Sequence, residues 1–256
     1  MLKPKKPKIR LFVDSKLILN HQVEIANNDF EYLSKVMRLS IGDEFEIFNG
    51  KDGDFLAKIK EIKKKSLIIV IEYKIRDLVK SINLSLAFAP IKNVRLDFIA
   101  SKATELGVTN FYPIITQRTI VDKINNIKFK ANIKEALEQC NRNDMAELFE
   151  IIKIREFLKN DFSNKLLILA DESGRGSQAK FLNEFSGNKC FKEIIIFTGP
   201  EGGFTPEEFN LFENLSNCFK LNLGPRILRA DTAVVASLAL VQEFLGDFNI
   251  AANFNF

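Results

Sequence analysis

Behind the apolar run Ile194-Ile195-Ile196-Phe197, the chain reads Thr198-Gly199-Pro200-Glu201-Gly202-Gly203-Phe204-Thr205, three glycines and a proline within eight residues. In open parallel sheets ligands bind outside the carboxyl ends of the strands. Glycine at such a place lets peptide groups approach a ligand with no side chain in the way. The loop has neither the Gly-Lys-Ser/Thr ending of a P-loop nor the spacing of a dinucleotide fingerprint. That leaves a different nucleoside ligand, or a tight strand-to-helix turn with no ligand. A second loop, Leu223-Gly224-Pro225-Arg226-Ile227-Leu228-Arg229, also leaves a strand, and Ala230-Asp231-Thr232-Ala233 follows it. A guanidinium near a pocket can orient a nucleotide or stabilise an anion through its rigid fork; Arg226 and Arg229 could equally pair with surface acids.

Other chemistries have little to stand on. The single histidine, His21, lies far from both loops in sequence and argues against a Ser-His hydrolase. The three cysteines, Cys140, Cys190 and Cys218, are odd in number and lack CxxC spacing, so neither a disulfide framework nor a zinc cluster is expected.

The elements that must carry the loops follow two different periods. From Arg10 to Tyr73 short strand patterns dominate: Arg10–Val13, Glu44–Phe48, Phe55–Ile59 and Leu67–Ile71, with one helix over Asn28–Leu39. Several short strands with one helix predict a small barrel. Beyond Arg76, apolar strand runs alternate with helical ones. Strands are predicted at Leu84–Ala89, Phe111–Ile115, Leu166–Ala170, Ile194–Phe197 and Phe219–Leu223. Helices are predicted from Leu96 to Leu106, with Gly107 as the residue after its end, and near Ile127–Cys140, Gln178–Phe185, Thr205–Leu215 and Ala230–Leu245. This is the alternation of a parallel α/β sheet. Thr205-Pro206-Glu207-Glu208 reads as a capping box with proline at the first helical position. A linker is expected over Tyr73–Ser81.

At 256 residues and 46% hydrophobic, the chain can bury one large core or two modest ones. The uncharged stretch Thr232–Gln242 is well short of the roughly 20 residues of a membrane-spanning helix, and residues 1–6 lack the apolar segment of a signal peptide. A cytoplasmic protein with no membrane attachment and no metal is expected. The net charge is +4, but residues 1–80 hold 17 Lys and Arg against 12 Asp and Glu, while the remainder holds 20 against 21. A basic N-terminal third suits a polyanion, because each phosphate contact releases counterions.

The two glycine loops, in this order near the C-terminus, resemble those of the SPOUT methyltransferases, specifically the ribosomal small-subunit methyltransferase E family. Lys35-Val36-Met37-Arg38-Leu39-Ser40-Ile41-Gly42-Asp43, Lys102-Ala103-Thr104-Glu105-Leu106-Gly107-Val108, Thr116-Gln117-Arg118 and Glu138-Gln139-Cys140-Asn141-Arg142 extend the likeness over Arg10–Phe248. Asn141 departs from a commoner glycine, and Asp231 from a frequent glutamate.

The resemblance implies an α/β protein with a PUA-like RNA-binding β-barrel over 1–75, followed over 76–256 by a SPOUT domain with a C-terminal deep trefoil knot. It implies a homodimer that uses S-adenosylmethionine to methylate N3 of a uridine in 16S rRNA, within the 30S subunit near the decoding centre. The expected cofactor site is Thr198, Gly199, Pro200, Gly202, Gly203, Leu223, Gly224, Ile227, Leu228 and Thr232. Uracil N3 carries a proton at neutral pH, so transfer needs a base or a stabilised anion. Arg229 is the expected anion stabiliser, and Glu138 and Asp231 are candidate bases or arginine orienters. Arg10, Lys35, Arg38, Arg118 and Arg142 are expected on the RNA, with Lys63–Lys65 a further basic turn. An enzyme acting on a ribose 2′-hydroxyl, or an RNA-binding protein without catalysis, are the alternatives.

Overall fold

The computed structural model describes residues 9–91, 93–171 and 191–250. It separates into two compact units: one holds the described residues up to Lys80 together with Leu137–Met145, and the other holds Ser81–Ala136 and the described residues from Ala146 onward.

The first unit is built on β1 (Arg10–Phe12), β2 (Gln22–Ala26), β3 (Glu44–Phe48), β4 (Asp54–Ile62) and β5 (Ser66–Arg76). Its sheet runs β1-β3-β4-β5-β2, antiparallel except for the β1–β3 pair. β1 and β2 are its edges, and no ladder joins them among the described residues. What gathers them is a shared core that includes Leu11, Ile25, Phe45, Ile47, Ile59 and Ile69. β2, absent from the sequence reading, has only Ile25 buried, too weak an alternation to stand out. The expected helix over Asn28–Leu39 is α1 (Asn27–Glu31) continuing as one π-type stretch, Tyr32–Val36. The expected linker begins too early, because β5 runs on, paired with β4, to Arg76.

A buried ion network ties residues 137–145 into this unit. Arg10 donates to Glu46 at 2.5 Å, to Asp54 at 2.8 Å and to the Leu137 carbonyl at 2.5 Å. Its guanidinium carbon also lies 3.8 Å from the Phe48 ring centroid. Arg76 pairs with the other oxygen of Asp54 and donates to the Asn141 carbonyl, and Asn143 donates to both Asp54 and the Asp77 carbonyl. Asn141, just past helix α3 (Asn126–Cys140), has φ +63°. Glycine reaches that left-handed region most easily and asparagine is among the next, so the departure from glycine keeps the same turn.

The second unit holds parallel strands in the order β12-β10-β11-β6-β7-β8, with β9 also on β7. They are β6 (Leu84–Phe88), β7 (Asn110–Ile115), β8 (Glu147–Leu148), β9 (Ile152–Lys153), β10 (Lys165–Asp171), β11 (Glu193–Thr198) and β12 (Cys218–Asn222). β6, β10 and β11 are nearly continuous apolar runs, as strands covered on both faces must be. Helices α2 (Asn93–Glu105), α4 (Ile154–Phe157), α5 (Pro206–Glu213) and α6 (Ala230–Leu245) accompany them. β8, β9 and α4 are too short to carry a period and were not foreseen. The helix expected over Gln178–Phe185 lies outside the described residues. α6 is fixed at its far end by buried Gln242, which donates to the Leu106 carbonyl at 2.7 Å and accepts from Asp247 N at 2.9 Å. No helix among the described residues is long and apolar enough to cross a membrane.

Candidate active site

The carboxyl ends of β10, β11 and β12 lie side by side, and the end of β10 with the loops that leave β11 and β12 forms a cleft of about 550 Å³, its open mouth included. Its walls are Ala170, Asp171, Thr198, Gly199, Pro200, Glu201, Gly203, Phe204, Leu223, Gly224, Arg226, Leu228, Ala230 and Ala233.

The loop after β11 is shaped by its own residues. The Pro200 carbonyl accepts from Gly203 N at 2.9 Å, closing a tight turn. Phe204 is buried, edge-on to Phe212 with centroids 5.5 Å apart. A Cβ on Gly199 would stand 3.1 Å from the Phe204 ring. The capping box is complete: Glu208 N donates to the Thr205 hydroxyl at 3.3 Å, and Thr205 N donates back to the Glu208 carboxylate at 2.9 Å. Glu207, beside it, has its carboxyl held below the usual range by its own backbone N–H and then by the Thr205 hydroxyl.

The loop after β12 turns on Gly224, whose φ of +97° a side chain would disfavour, and Gly224 N donates to Asn222 Oδ1 at 2.8 Å. Gly224, Pro225, Arg226 and Ile227 are all exposed. Arg229 is the N-cap of α6 and makes no side-chain cap. Ala230 and Ala233 present small side chains to the cleft. Asp231 Oδ1 accepts from Thr232 N at 2.8 Å, placing a carboxylate at the positive end of the helix.

Thr198, Gly199, Pro200, Gly203, Leu223, Gly224 and Leu228 of the sequence-predicted cofactor set come together on the cleft wall. Gly202, Ile227 and Thr232 are not on it: Ile227 is 90% exposed, and Gly202 lies under the Arg118 stem. Arg229 and Asp231 adjoin the wall residues Leu228 and Ala230 in the chain. Glu138 belongs to the first unit, where its Oε1 accepts from Phe12 N at 2.8 Å.

The basic residues divide sharply. Arg10 has a side chain only 7% exposed, its donors directed at Glu46, Asp54 and Leu137, so it is a core residue and not the RNA contact expected of it. Arg142 is turned onto Asp144 at 2.6 Å, with 10% of its side chain exposed. Lys35 and Arg38 are exposed, Lys35 in an i,i+4 pair with Glu31.

Sequence reasoning singled out Arg226, which lines the cleft, but missed Asp171, Glu201 and Arg95. Arg95, on α2, lies 3.3 Å from Glu201 and 3.8 Å from Asp231, so it bridges one residue of each loop. Asp171 ends a strand that was foreseen, but that β10 neighbours β11 is a matter of strand order, which local pattern does not carry.

An RNA methyltransferase domain model matches residues 79–242, and an RNA methyltransferase PUA domain model matches residues 25–72. The chain is 32% identical to ribosomal RNA small subunit methyltransferase E of Rickettsia conorii, over 91% of this chain and 94% of that one. The chain belongs to the ribosomal RNA small subunit methyltransferase E family. It is an rRNA methyltransferase with an N-terminal PUA domain. Among solved structures it resembles a ribosomal RNA small subunit methyltransferase E from Neisseria gonorrhoeae bound to S-adenosyl methionine. That match has a TM-score of 0.81 and 27% identity, and covers 94% of this chain and 99% of that one. It also resembles a putative methyltransferase from Legionella pneumophila in complex with the cofactor SAM, with a TM-score of 0.79 and 28% identity, covering 92% of this chain and 97% of that one.

Proposed function

We infer that this enzyme binds S-adenosylmethionine in the cleft and methylates N3 of one uridine in 16S rRNA, near the decoding centre of the 30S subunit, in the cytoplasm. The observation that carries the reading is the cleft itself, formed by both glycine loops at the carboxyl ends of β11 and β12, the parallel strands on either side of β10.

The wall chemistry fits this cofactor. Leu223, Leu228, Phe204, Ala230 and Ala233 offer apolar cover for an adenine, and Gly199, Gly203 and Gly224 line the cleft with no side chain between backbone and ligand. Asp171 and Glu201 suit a sulfonium and an ammonium, and Arg226 suits the methionyl carboxylate. When bound, the cofactor supplies a methyl group already activated by positive sulfur, so the protein's task is alignment.

N3 must lose its proton as the new N–CH3 bond forms. Arg229, exposed at the N-terminus of α6, adds a full charge to the positive end of the helix dipole, an arrangement that favours an anion there. Asp231, next in the chain to the wall residue Ala230, is the first candidate for receiving the proton, and Glu138 is the second. Lys35, Arg38 and the Lys63–Lys65 turn of the first unit supply phosphate contacts that position the rRNA without specifying it.

A homodimer is part of the reading, supported by exposed apolar residues of the second unit, including Ile120, Ile127 and Phe248. A trefoil knot in the second unit is part of the reading on the strength of the family resemblance. The test is transfer of labelled methyl from S-adenosylmethionine to 30S subunits and to naked 16S rRNA. Label in 16S rRNA from 30S is expected, and label in neither would reject the reading.

A further inference from the structure

Gly202 is part of the conspicuous glycine loop, yet it does not line the cleft, while its neighbours Glu201 and Gly203 do. What lies against it is Arg118. A Cβ on Gly202 would be 3.3 Å from Arg118 Cδ and 3.4 Å from its Cβ, and Arg118 Nη1 donates to the Gly202 carbonyl at 2.6 Å. A charged donor on a backbone carbonyl is among the stronger hydrogen bonds.

Arg118 is itself held in place. It follows β7, in a turn closed by Thr116 N donating to the Thr119 hydroxyl at 2.9 Å and by contact of the two threonine hydroxyls at 2.8 Å. Gln117 N donates to Glu208 Oε1 at 2.8 Å. Glu208 is 2% exposed, and its other oxygen accepts from Thr205 N. One buried carboxylate therefore joins the start of α5 to the loop after β7. That loop in turn grips the glycine loop two strands away in the sheet, across β6.

We propose that Arg118 is a positioning residue of the glycine loop, seated by Glu208, and that this latch between the β7 and β11 loops sets the affinity of the cleft for S-adenosylmethionine. The proposal rests on the cofactor reading above. It gives Gly202 a reason that cofactor contact does not: the Arg118 stem needs the space. It also separates Arg118 from Lys35 and Arg38, because one of its guanidinium nitrogens is turned inward onto the protein.

The experiment is calorimetric titration of S-adenosylmethionine into the full-length protein and its Arg118→Met and Arg118→Lys variants. Steady-state methylation and filter binding to 30S subunits across a salt series accompany it. Methionine keeps the apolar stem over Gly202 and removes the donors. The expected result for Arg118→Met is a rise in Kd and KM for S-adenosylmethionine of about tenfold, the scale of a lost charged hydrogen bond. kcat at saturating cofactor and 30S affinity stay within about twofold, and Arg118→Lys recovers part of the loss. Glu208→Gln, which cannot accept both amides, shifts Kd in the same direction. The latch is overturned if wild-type protein binds S-adenosylmethionine and Arg118→Met binds it equally well, while 30S affinity falls and its salt dependence loses about one phosphate contact. If wild-type protein itself binds no S-adenosylmethionine, the cofactor reading fails.

Discussion

The loop after β11 is held from three directions, through the Gly203 turn, the Arg118 grip on Gly202 and the Glu208 box at Thr205. The loop after β12, which faces it across the cleft, has the Gly224–Asn222 hydrogen bond and four successive exposed residues. One wall is thus preorganised, which lowers the ordering cost of binding. The other carries exposed cations, Arg226 and Arg229, neither of which makes an ion pair among the described residues. The division suits an enzyme that must hold a cofactor in one place and then admit a bulky polyanion.

Substitutions can test that division. Gly199→Val places branched carbons against the Phe204 ring on the rigid wall, where nothing nearby can yield cheaply. Calorimetry is expected to show S-adenosylmethionine affinity reduced by about a hundredfold, the upper range of an overpacking effect. Near-normal affinity would mean that the first wall is not preorganised.

Arg229→Ala acts on the other wall. Turnover should fall by about a hundredfold, the usual cost of removing one donor to a developing anion, with cofactor Kd within about threefold. Equal losses in Kd and no change in kcat would move Arg229 from the anion to the cofactor. Arg95→Ala cuts the bridge between Glu201 and Asp231, partly exposed pairs worth about 0.2–1 kcal/mol. A cofactor Kd raised by roughly two- to fivefold is expected, and a larger effect would show the walls to be more tightly coupled. Ile227→Ser, at a 90% exposed position, should leave the unfolding free energy from urea titration within about 0.5 kcal/mol of wild type. A greater change would place Ile227 in a contact outside the chain.

Much of this was legible in the sequence because each feature is local. The Thr205–Glu208 capping box, α6 over Ala230–Leu245 and the strands Glu44–Phe48 and Ile194–Phe197 are stated by adjacent residue types, and the structure has them. Asn141, which looked like a departure, keeps the left-handed turn that a glycine would make. What sequence could not separate was one arginine from another. Arg10 reads as an exposed base beside a strand, but Glu46 and Asp54 face it only once β1 pairs with β3 and β3 with β4. Asp171 and Arg95 reach the cleft through strand order and helix placement, and residues 137–145 join the first unit through bonds to Arg10, Arg76 and Asp54. All of these are contacts between residues far apart in the chain.

The most direct test of the account is nucleoside mapping by mass spectrometry of 16S rRNA after 30S subunits lacking the modification are incubated with the protein and S-adenosylmethionine. A single new 3-methyluridine near the decoding centre is the predicted result; a ribose-methylated nucleoside, or no new methylation, would contradict it.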